Sequence, residues 1–240
     1  MEEYSRAVKS AVSLIKPGGF LLQGGVLNSD EYYTGRRRFR CHRLTRDDVL
    51  QCLKIGLGGG SINVLFEGQF PEAKLTTVEI DPTMKYIATE WFTTKEDEKH
   101  KIIVADGVNF VKENDKKFDL ILLDACYNDQ TSSLACPVAP FLDPSVIKAI
   151  SDSLTPNGTL AVNSYYTMTP TTKEHEELIS KFKPYFQQCM IQNINRNFVL
   201  GCSKKDLPRI TEEYLKLRVN KIEKEITNII GGDYKFILSR

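Results

Sequence analysis

The feature that most constrains the fold of this chain is a regular alternation between about Gln51 and Ser203. Short runs rich in β-branched residues alternate there with segments of helical periodicity. Such runs predict strands, and the segments between them predict crossover helices. Strands joined by helices lie parallel, because a parallel pair needs a long crossover connection. The alternation therefore predicts an α/β fold with a doubly wound, Rossmann-like parallel sheet.

Local patterns assign the elements of this sheet. Five runs predict parallel strands, and the fourth is apolar enough to be buried on both faces: CLKIGLG, KLTTVEI, HKIIVA, FDLILLDA and TLAVNSYY. The helix over DPTMKYIATEWF should bury one apolar stripe, formed by Met84, Ile87, Ala88, Trp91 and Phe92. In DPSVIKAISDSLTPNG, Asp143 is the expected N-cap and Pro144 the first helical residue, with a Pro/Gly stop at the end.

Two runs near the end of this region are too close in sequence to be parallel. QCMIQNI and FVLGCS are separated only by NRN, which leaves no room for a crossover helix. They must pair as an antiparallel hairpin. We therefore expect a seven-stranded sheet that ends in an antiparallel hairpin strand, carried by residues 51–205.

The sequence outside this region predicts two smaller parts. Residues 1–50 predict an N-terminal extension made of a helix and a β-hairpin, with Gly24 and Gly25 in the turn. Residues 206–240 predict an amphipathic helix and a tail. The apolar side of this helix should pack on the sheet or on a second subunit, which would make a homodimer.

Charge and composition exclude several classes of partner. The net charge of +1 provides no general attraction for nucleic acid or an anionic membrane, so we expect neither as a partner. No apolar run approaches the ~20 residues of a membrane span, and the acidic start differs from a signal peptide. We expect a cytoplasmic protein. No CxxC pair is present, so we expect no metal site and only free cytosolic thiols at the six cysteines: Cys41, Cys52, Cys126, Cys136, Cys189 and Cys202.

A glycine-rich loop joins the first predicted strand to the first helix. It contains Gly56, Gly58, Gly59 and Gly60. Glycines in this place let a ligand approach the backbone amides at a helix N-terminus. The third glycine of the dinucleotide fingerprint is replaced by Ser61, and no Gly-Lys-Ser/Thr follows, so a P-loop is excluded. A tight turn without a ligand remains an alternative.

Three acidic residues lie where successive strands end. Glu79 ends the second strand, where a carboxylate can accept hydrogen bonds from a ribose diol. Asp81 is the expected N-cap of the next helix. Asp106 follows the third strand with Gly107, where it can bind an adenine amino group or serve as another N-cap. Asp124 follows the fourth strand, at the crevice where open α/β sheets bind ligands, and could meet an ammonium group or an acceptor amine.

These motifs resemble, in order and spacing, the spermidine-synthase-like branch of the class I methyltransferases, especially the elongation factor 1-alpha lysine and N-terminal methyltransferases. The resemblance covers about residues 51–205 and is carried by KIGLGGGSINVLF, TVEIDPTMKYIATEWF, IIVADGVNFV, FDLILLDA and SLTPNGTLAVN. It implies an S-adenosylmethionine-dependent methyltransferase with a protein substrate, possibly elongation factor 1-alpha. The implied cofactor-binding residues are Gly56, Gly58, Gly59, Gly60, Glu79, Ile80, Asp106, Gly107 and Asp124. GGVLNSDEYY resembles the N-terminal hairpin of spermidine synthases, which implies that Asn28 and Asp30 lie near the pocket.

The sequence departs from the aminopropyltransferases just after the fourth strand. Those enzymes continue as Asp-Ser-x-Asp, whereas this chain has DACY, with Tyr127 in place of the second acid. Asp124 and Tyr127 are thus the candidate catalytic residues. The segment CYNDQTSSLACPVAPF is long for a connecting loop and is expected to line the acceptor site. A catalytically silent cofactor-binding scaffold and an aminopropyltransferase remain alternatives.

One segment before the first core strand is strongly basic. Six arginines between positions 36 and 46 could dock an acidic protein or RNA, but solvated arginines paired with Asp47, Asp48 and neighbouring acids are the favoured explanation.

Overall fold

The computed structural model describes residues 50–92, 94–127, 133–194 and 197–205. Within these ranges eight strands form one sheet with helices on both faces. The strands are β1 (Gln51–Ile55), β2 (Lys74–Glu79), β3 (His100–Val104), β4 (Phe118–Leu123), β5 (Leu134–Cys136), β6 (Leu154–Tyr166), β7 (Gln188–Ile194) and β8 (Asn197–Ser203). The helices are α1 (Ser61–Gln69), α2 (Pro82–Trp91), α3 (Gly107–Glu113), α4 (Pro144–Asp152) and α5 (Thr172–Phe182).

The strand order is β3-β2-β1-β4-β6-β8-β7, with β5 also paired to β6. Neighbouring strands from β3 to β6 are parallel, whereas β8 is antiparallel to both β6 and β7. This confirms the predicted doubly wound sheet with a terminal antiparallel hairpin. The order reverses between β1 and β4, so the crevice expected for a ligand lies beyond their carboxyl ends.

The sheet contains one strand more than predicted. β5 is only three residues long and pairs antiparallel with β6, with Leu134 opposite Tyr166 and Cys136 opposite Tyr165. A strand this short has no periodicity to read in the sequence, and it forms because the segment after β4 folds back along β6. β6 itself already begins at Leu154, so α4 ends at Asp152 and not at the Pro/Gly stop that was predicted.

The core is divided by the sheet into two layers. β4 contributes to both, because its alternate residues face opposite sides. Ile121 packs in the layer beneath α4 and α5, whereas Leu122 packs in the layer beneath α1. Ile147 of α4 and Phe182 of α5 are fully buried in the first layer. This arrangement confirms that the fourth strand is buried on both faces.

The predicted apolar stripe of α2 is only partly buried. Ala88 is fully buried, and Met84 and Ile87 are half-buried. Trp91 and Phe92 are 73% and 55% exposed, so the prediction was wrong for these two aromatic residues. Helical periodicity identifies the inward face of a helix but not how far the sheet extends beneath it. α2 packs on β2 and β3, and β3 is the edge strand.

The expectation of free thiols was also wrong. The described residues contain two disulfides, Cys126–Cys136 and Cys189–Cys202, and the buried Cys52 takes part in neither. The first pair is brought together when β5 folds back beside the segment after β4. The second pair faces across the β7–β8 hairpin, where the two cysteines are register partners. Pairings of this kind depend on strand register, which cysteine spacing alone does not reveal.

Several predictions fall on segments outside the described residues: the N-terminal extension with Asn28 and Asp30, the arginine-rich segment, Cys41 and the C-terminal helix. They stay predictions, as does the division of the chain at residues 50 and 205. Within the described ranges, no helix has the length and apolar character that crossing a membrane requires.

α5 begins with a capping box that offers a test of local stability. The Thr171 hydroxyl accepts a hydrogen bond from the Glu174 amide, and the Glu174 carboxylate accepts one from the Thr171 amide at 2.7 Å. We expect Thr171→Ala to lower the free energy of unfolding by about 1 kcal/mol, measured by urea denaturation. Thr172→Ala, one residue inside the helix, is the control. Equal losses in both variants would show that the cap does not stabilise α5.

Candidate active site

The glycine loop, residues 56–60, connects β1 to α1 and is closely packed against the body of the domain. Gly56, Gly58 and Gly60 have φ of +91°, +54° and +77°, in the left-handed region that favours glycine. A Cβ on Gly56 would overlap the carbonyl group of Asp124, whose carbon would lie 2.8 Å away. A Cβ on Gly60 would lie 2.9 Å from the Cβ of Thr94. These two glycines are therefore required by packing alone.

Gly58 differs from its neighbours. A Cβ built on it would meet no atom of the described residues within 4 Å, so these residues leave the space over the middle of the loop open. Gly59 lies next to it, and a Cβ there would be in ordinary contact with the ring of Phe92, at 3.7 Å. The loop thus has a packed underside and an open centre, which is the shape that allows a ligand to approach its backbone.

Glu79 links the glycine loop to the end of β2. Its side chain is only 7% exposed, and Oε2 accepts a hydrogen bond from the Leu57 amide at 2.7 Å. Oε1 accepts one from the Asp81 amide at 3.0 Å. Each carboxylate oxygen can accept a second hydrogen bond, so both could also receive ligand hydroxyls. Asp81 caps α2 through the Thr83 amide, as predicted.

Two further side chains, the apolar Ile80 and the acidic Asp106, border the crevice beside Glu79. Ile80 is 68% exposed, although it directly follows a buried strand. Asp106 caps α3, where Oδ1 accepts hydrogen bonds from the amides of Val108 and Asn109 at 2.7 and 3.1 Å. The N-cap alternative for Asp106 is therefore realised, while its Oδ2 has no hydrogen bond within the described part of the chain. A role of Asp106 in binding adenine stays a prediction.

Gly107 has a packing role at the start of α3. A Cβ at this position would lie 2.7 Å from Cγ2 of Ile55 and 3.0 Å from the ring of Phe141. Glycine therefore allows α3 to begin directly against the end of β1. This contact explains the glycine without a ligand.

Asp124 lies at the switch point between β1 and β4. Its amide donates to the Ile55 carbonyl at 2.8 Å, which holds it against the end of β1. Its Oδ1 accepts a hydrogen bond from Nδ2 of Asn163 at 2.8 Å. Sequence reasoning missed Asn163, although it directly follows the apolar run Leu160-Ala161-Val162 near the carboxyl end of β6. The Asn163 Oδ1 is buried and has no hydrogen-bond partner among the residues that the structure describes.

Tyr127 is fixed to the segment that follows β5. Its amide donates to the Ala135 carbonyl at 2.9 Å, and its hydroxyl accepts a hydrogen bond from the Ala139 amide at 3.2 Å. The Cys126–Cys136 disulfide holds the same two segments together. The phenol is 39% exposed and is anchored to the backbone through its hydroxyl.

The site contains a buried lysine that the sequence analysis did not predict. Lys54 of β1 is 1% exposed, and its Nζ donates to the carbonyls of Gly56 and Leu57, the latter at 3.0 Å. Burial lowers the pKa of Lys54, while the charges of Asp124 and Glu79 act in the opposite direction. A lysine within the apolar run CLKIGLG was the signal in the sequence, and it was not recognised.

The structure thus brings together the glycine loop, Glu79 and Asp124, because all three surround the ends of β1. Asp106 and Tyr127 lie at the same edge of the sheet but are bonded to α3 and to the β5 segment instead. Among the described residues, no group of three or more His, Cys, Asp or Glu side chains is arranged to hold a metal ion.

Comparisons with known sequences connect this site to two families of enzymes. The family model for the spermine/spermidine synthase domain matches residues 55–195, and the model for the NNMT/PNMT/TEMT family matches residues 1–65. The chain is 31% identical over 133 residues to the mouse eEF1A lysine and N-terminal methyltransferase. That alignment covers 54% of this chain but only 19% of the mouse protein. A nicotinamide N-methyltransferase of Caenorhabditis elegans is 52% identical over 54 residues, which are 22% of this chain and 20% of that protein.

A solved structure supports the same relationship. The crystal structure of human methyltransferase-like protein 13 in complex with SAH has a TM-score of 0.64 at 25% sequence identity. The similarity covers 80% of this chain and 88% of that one. The spermine/spermidine synthase model spans more than half of the sequence, including the glycine loop, Glu79, Asp124 and Asn163. The chain therefore belongs to the spermine/spermidine synthase domain family.

Proposed function

We propose that this protein is an S-adenosylmethionine-dependent methyltransferase whose acceptor is an amine, on a protein substrate. The observation that carries the proposal is the pairing of Glu79 with the glycine loop. A buried carboxylate there holds the loop by the Leu57 amide, directly beside the open space over Gly58. Asp124 at the end of β4 completes a crevice with an acid on each side of the loop.

The residues present fit the adenosyl part of this cofactor. Both Glu79 oxygens retain a lone pair for the ribose hydroxyls. Ile80 offers an exposed apolar surface next to Glu79, on which an adenine ring would be shielded from water. The open centre of the loop at Gly58 leaves room for the chain of the cofactor close to the backbone. Asp106 Oδ2 would accept from the adenine amino group.

The acceptor side is assigned to Asp124 and Asn163. When bound, S-adenosylmethionine supplies an electrophilic methyl group on a sulfonium. The protein must align the acceptor and keep its nitrogen unprotonated at the time of transfer. The Asp124 carboxylate can accept an N–H of the amine and stabilise the positive charge that develops on it. The 2.8 Å hydrogen bond from Asn163 fixes the orientation of this carboxylate.

An acceptor nitrogen is supported by the names of the relatives. The mouse relative is named as a lysine and N-terminal methyltransferase of eEF1A, and the nematode relative as a nicotinamide N-methyltransferase. Both names specify nitrogen as the methyl acceptor. We propose eEF1A as the first protein to test, at a lysine or at its N-terminal amine. A small nitrogen heterocycle is the second candidate, supported by the nematode match.

Aminopropyl transfer is less well supported, although the family includes enzymes with that activity. Those enzymes continue after the fourth strand as Asp-Ser-x-Asp, and the second acid activates the amine. Here that place is taken by Tyr127, whose hydroxyl is already bonded to the Ala139 amide. We expect decarboxylated S-adenosylmethionine and putrescine to yield no polyamine. Formation of spermidine would overturn this assignment of Tyr127.

A two-step experiment tests the proposed function against a silent scaffold. S-adenosylhomocysteine is first titrated into the protein by calorimetry. The protein is then incubated with methyl-tritiated S-adenosylmethionine and either purified eEF1A, cell extract or nicotinamide. Label in protein supports the proposal, and label in nicotinamide alone supports the small-molecule acceptor. Binding without transfer to any of the three supports a scaffold, and absence of binding refutes the cofactor assignment.

We expect Glu79→Ala to weaken the binding of S-adenosylhomocysteine by ~1–3 kcal/mol, the cost of leaving hydrogen-bonding groups without a partner. The variant also removes the acceptor of the Leu57 amide, so the loop loses its anchor to β2. Glu79→Gln keeps the shape and one acceptor oxygen and should lose less. Calorimetric dissociation constants of both variants provide the measurement. An unchanged dissociation constant in Glu79→Ala would remove Glu79 from the site.

A further inference from the structure

We propose that Lys54 is a positioning residue that holds the glycine loop in its ligand-binding conformation by binding two of the loop carbonyls. This inference rests on the proposed function, because it assigns a role within the same site. Lys54 is one of the largest fully buried side chains of the described residues, and its position in the centre of the sheet separates it from solvent. Its register partners are Thr77 of β2 and Leu122 of β4.

The contacts of Lys54 define how it acts on the loop. Its Nζ binds the carbonyls of both Gly56 and Leu57, the first two residues after β1. The amide of Leu57 is held at the same time by the Glu79 carboxylate. Both backbone polar groups of Leu57 are therefore held: Lys54 binds its carbonyl, and the Glu79 carboxylate binds its amide. With its carbonyls turned toward Lys54, the loop leaves the space over Gly58 open.

The charges around Lys54 support this role. A buried ammonium is stable only when paired or hydrogen-bonded, and the charges of Asp124 and Glu79 raise the pKa of Lys54 against the effect of burial. These are the two acids that border the proposed cofactor site. Their negative charges favour the charged form of Lys54, whose amine is hydrogen-bonded to the loop carbonyls.

A purely structural explanation does not account for a lysine at this position. Of its neighbours on the same sheet face, Cys52 of β1 and Leu122 of β4 are apolar and buried, and the buried Thr77 of β2 is hydrogen-bonded to Asn63. An apolar side chain of similar length would fill the same volume without the cost of burying an amine. Lys54 is therefore explained by what its amine binds, which is the backbone of the glycine loop.

The experiment compares Lys54→Met, which keeps the length of the side chain, with Lys54→Gln, which keeps a donor. Lys204→Met is the matched control, because the Lys204 Nζ also donates a hydrogen bond, to Ser151 at 3.0 Å, outside the proposed site. Three quantities are measured: the unfolding midpoint, the dissociation constant of S-adenosylhomocysteine, and the hydrogen-exchange rates of the Leu57 and Gly60 amides.

We expect Lys54→Met to fold and to bind S-adenosylhomocysteine about tenfold more weakly or worse, the scale of one lost hydrogen bond to a charged group. The Leu57 and Gly60 amides should exchange faster, while amides of α4 and β6 should not change. Lys54→Gln should recover part of the affinity, and Lys204→Met should match the wild type. In the transfer assay, the KM for the cofactor should rise in Lys54→Met with little change in kcat.

Wild-type affinity together with unchanged exchange of the loop amides in Lys54→Met would overturn the proposal. If Lys54→Met does not fold, Lys54→Gln provides the same comparison. If the wild-type protein itself binds no S-adenosylhomocysteine, the proposed function fails, but the exchange of the loop amides still decides whether Lys54 holds the loop. The two failures are therefore distinguishable.

Discussion

Gly56→Ala is expected to prevent this protein from accumulating in its folded form. The residue has a φ of +91°, and an added Cβ would overlap the carbonyl group of Asp124. The atoms it meets belong to the backbone, and the Asp124 amide is itself bonded to Ile55 at 2.8 Å. Neither strand end can therefore move without breaking the β1–β4 pairing. We expect a loss of about 3–5 kcal/mol in the free energy of unfolding, the upper end for single substitutions.

Gly68→Ala is the matched control for this prediction. Gly68 lies in α1, and an added Cβ would meet no described residue within 4 Å. Alanine is favoured over glycine inside helices, so this variant should gain about 0.5–1 kcal/mol. Soluble yield and urea denaturation distinguish the two outcomes. A Gly56→Ala protein with an unfolding midpoint equal to that of Gly68→Ala would contradict the packing described for the loop.

Asp124→Asn is expected to reduce methyl transfer by about a hundredfold, within the range of groups that handle a proton or its charge. The substitution keeps the shape of the side chain but removes the negative charge that would orient and stabilise the acceptor amine. Binding of S-adenosylhomocysteine should change by much less, because the ribose and adenine contacts are assigned to other residues. The readout is the initial rate of tritium transfer into eEF1A or extract protein at saturating cofactor.

Asp152→Asn is the control, because Asp152 lies at the end of α4 and pairs there with Lys148. Its transfer rate should equal that of the wild type. A wild-type rate in Asp124→Asn would assign the acceptor amine to a different residue. Equal losses of transfer and of S-adenosylhomocysteine affinity would instead show that Asp124 serves the cofactor and not the acceptor.

The crevice itself could be predicted because its parts are local in sequence. A short apolar run signals each of the strands that end at Glu79 or just before Gly56, Asp106 and Asp124. Parallel strands bring their carboxyl ends to one edge of the sheet. The N-caps at Asp81 and Asp143 depend only on the following turn, and both are present. Local periodicity and capping therefore determined where the acids lie along the sheet.

The fine structure of the site depended on contacts between distant segments. Asn163 meets Asp124 only because β6 pairs with β4, and Cys126 meets Cys136 only because β5 folds back. Trp91 is exposed because α2 packs on β2 and on β3, the edge strand of the sheet. None of these follows from a window of neighbouring residues, since register and strand order are set by packing across the whole domain.

By itself, the sequence determined the α/β architecture, the antiparallel hairpin at its end and the positions of the glycine loop, Glu79 and Asp124, because each depends on spacing along the chain. Only the tertiary structure decided that Lys54 lies buried beneath the loop and that Asn163 holds the Asp124 carboxylate. The physical reason is that a buried charge is placed by partners from several strands at once, and those partners become neighbours only when the sheet has formed.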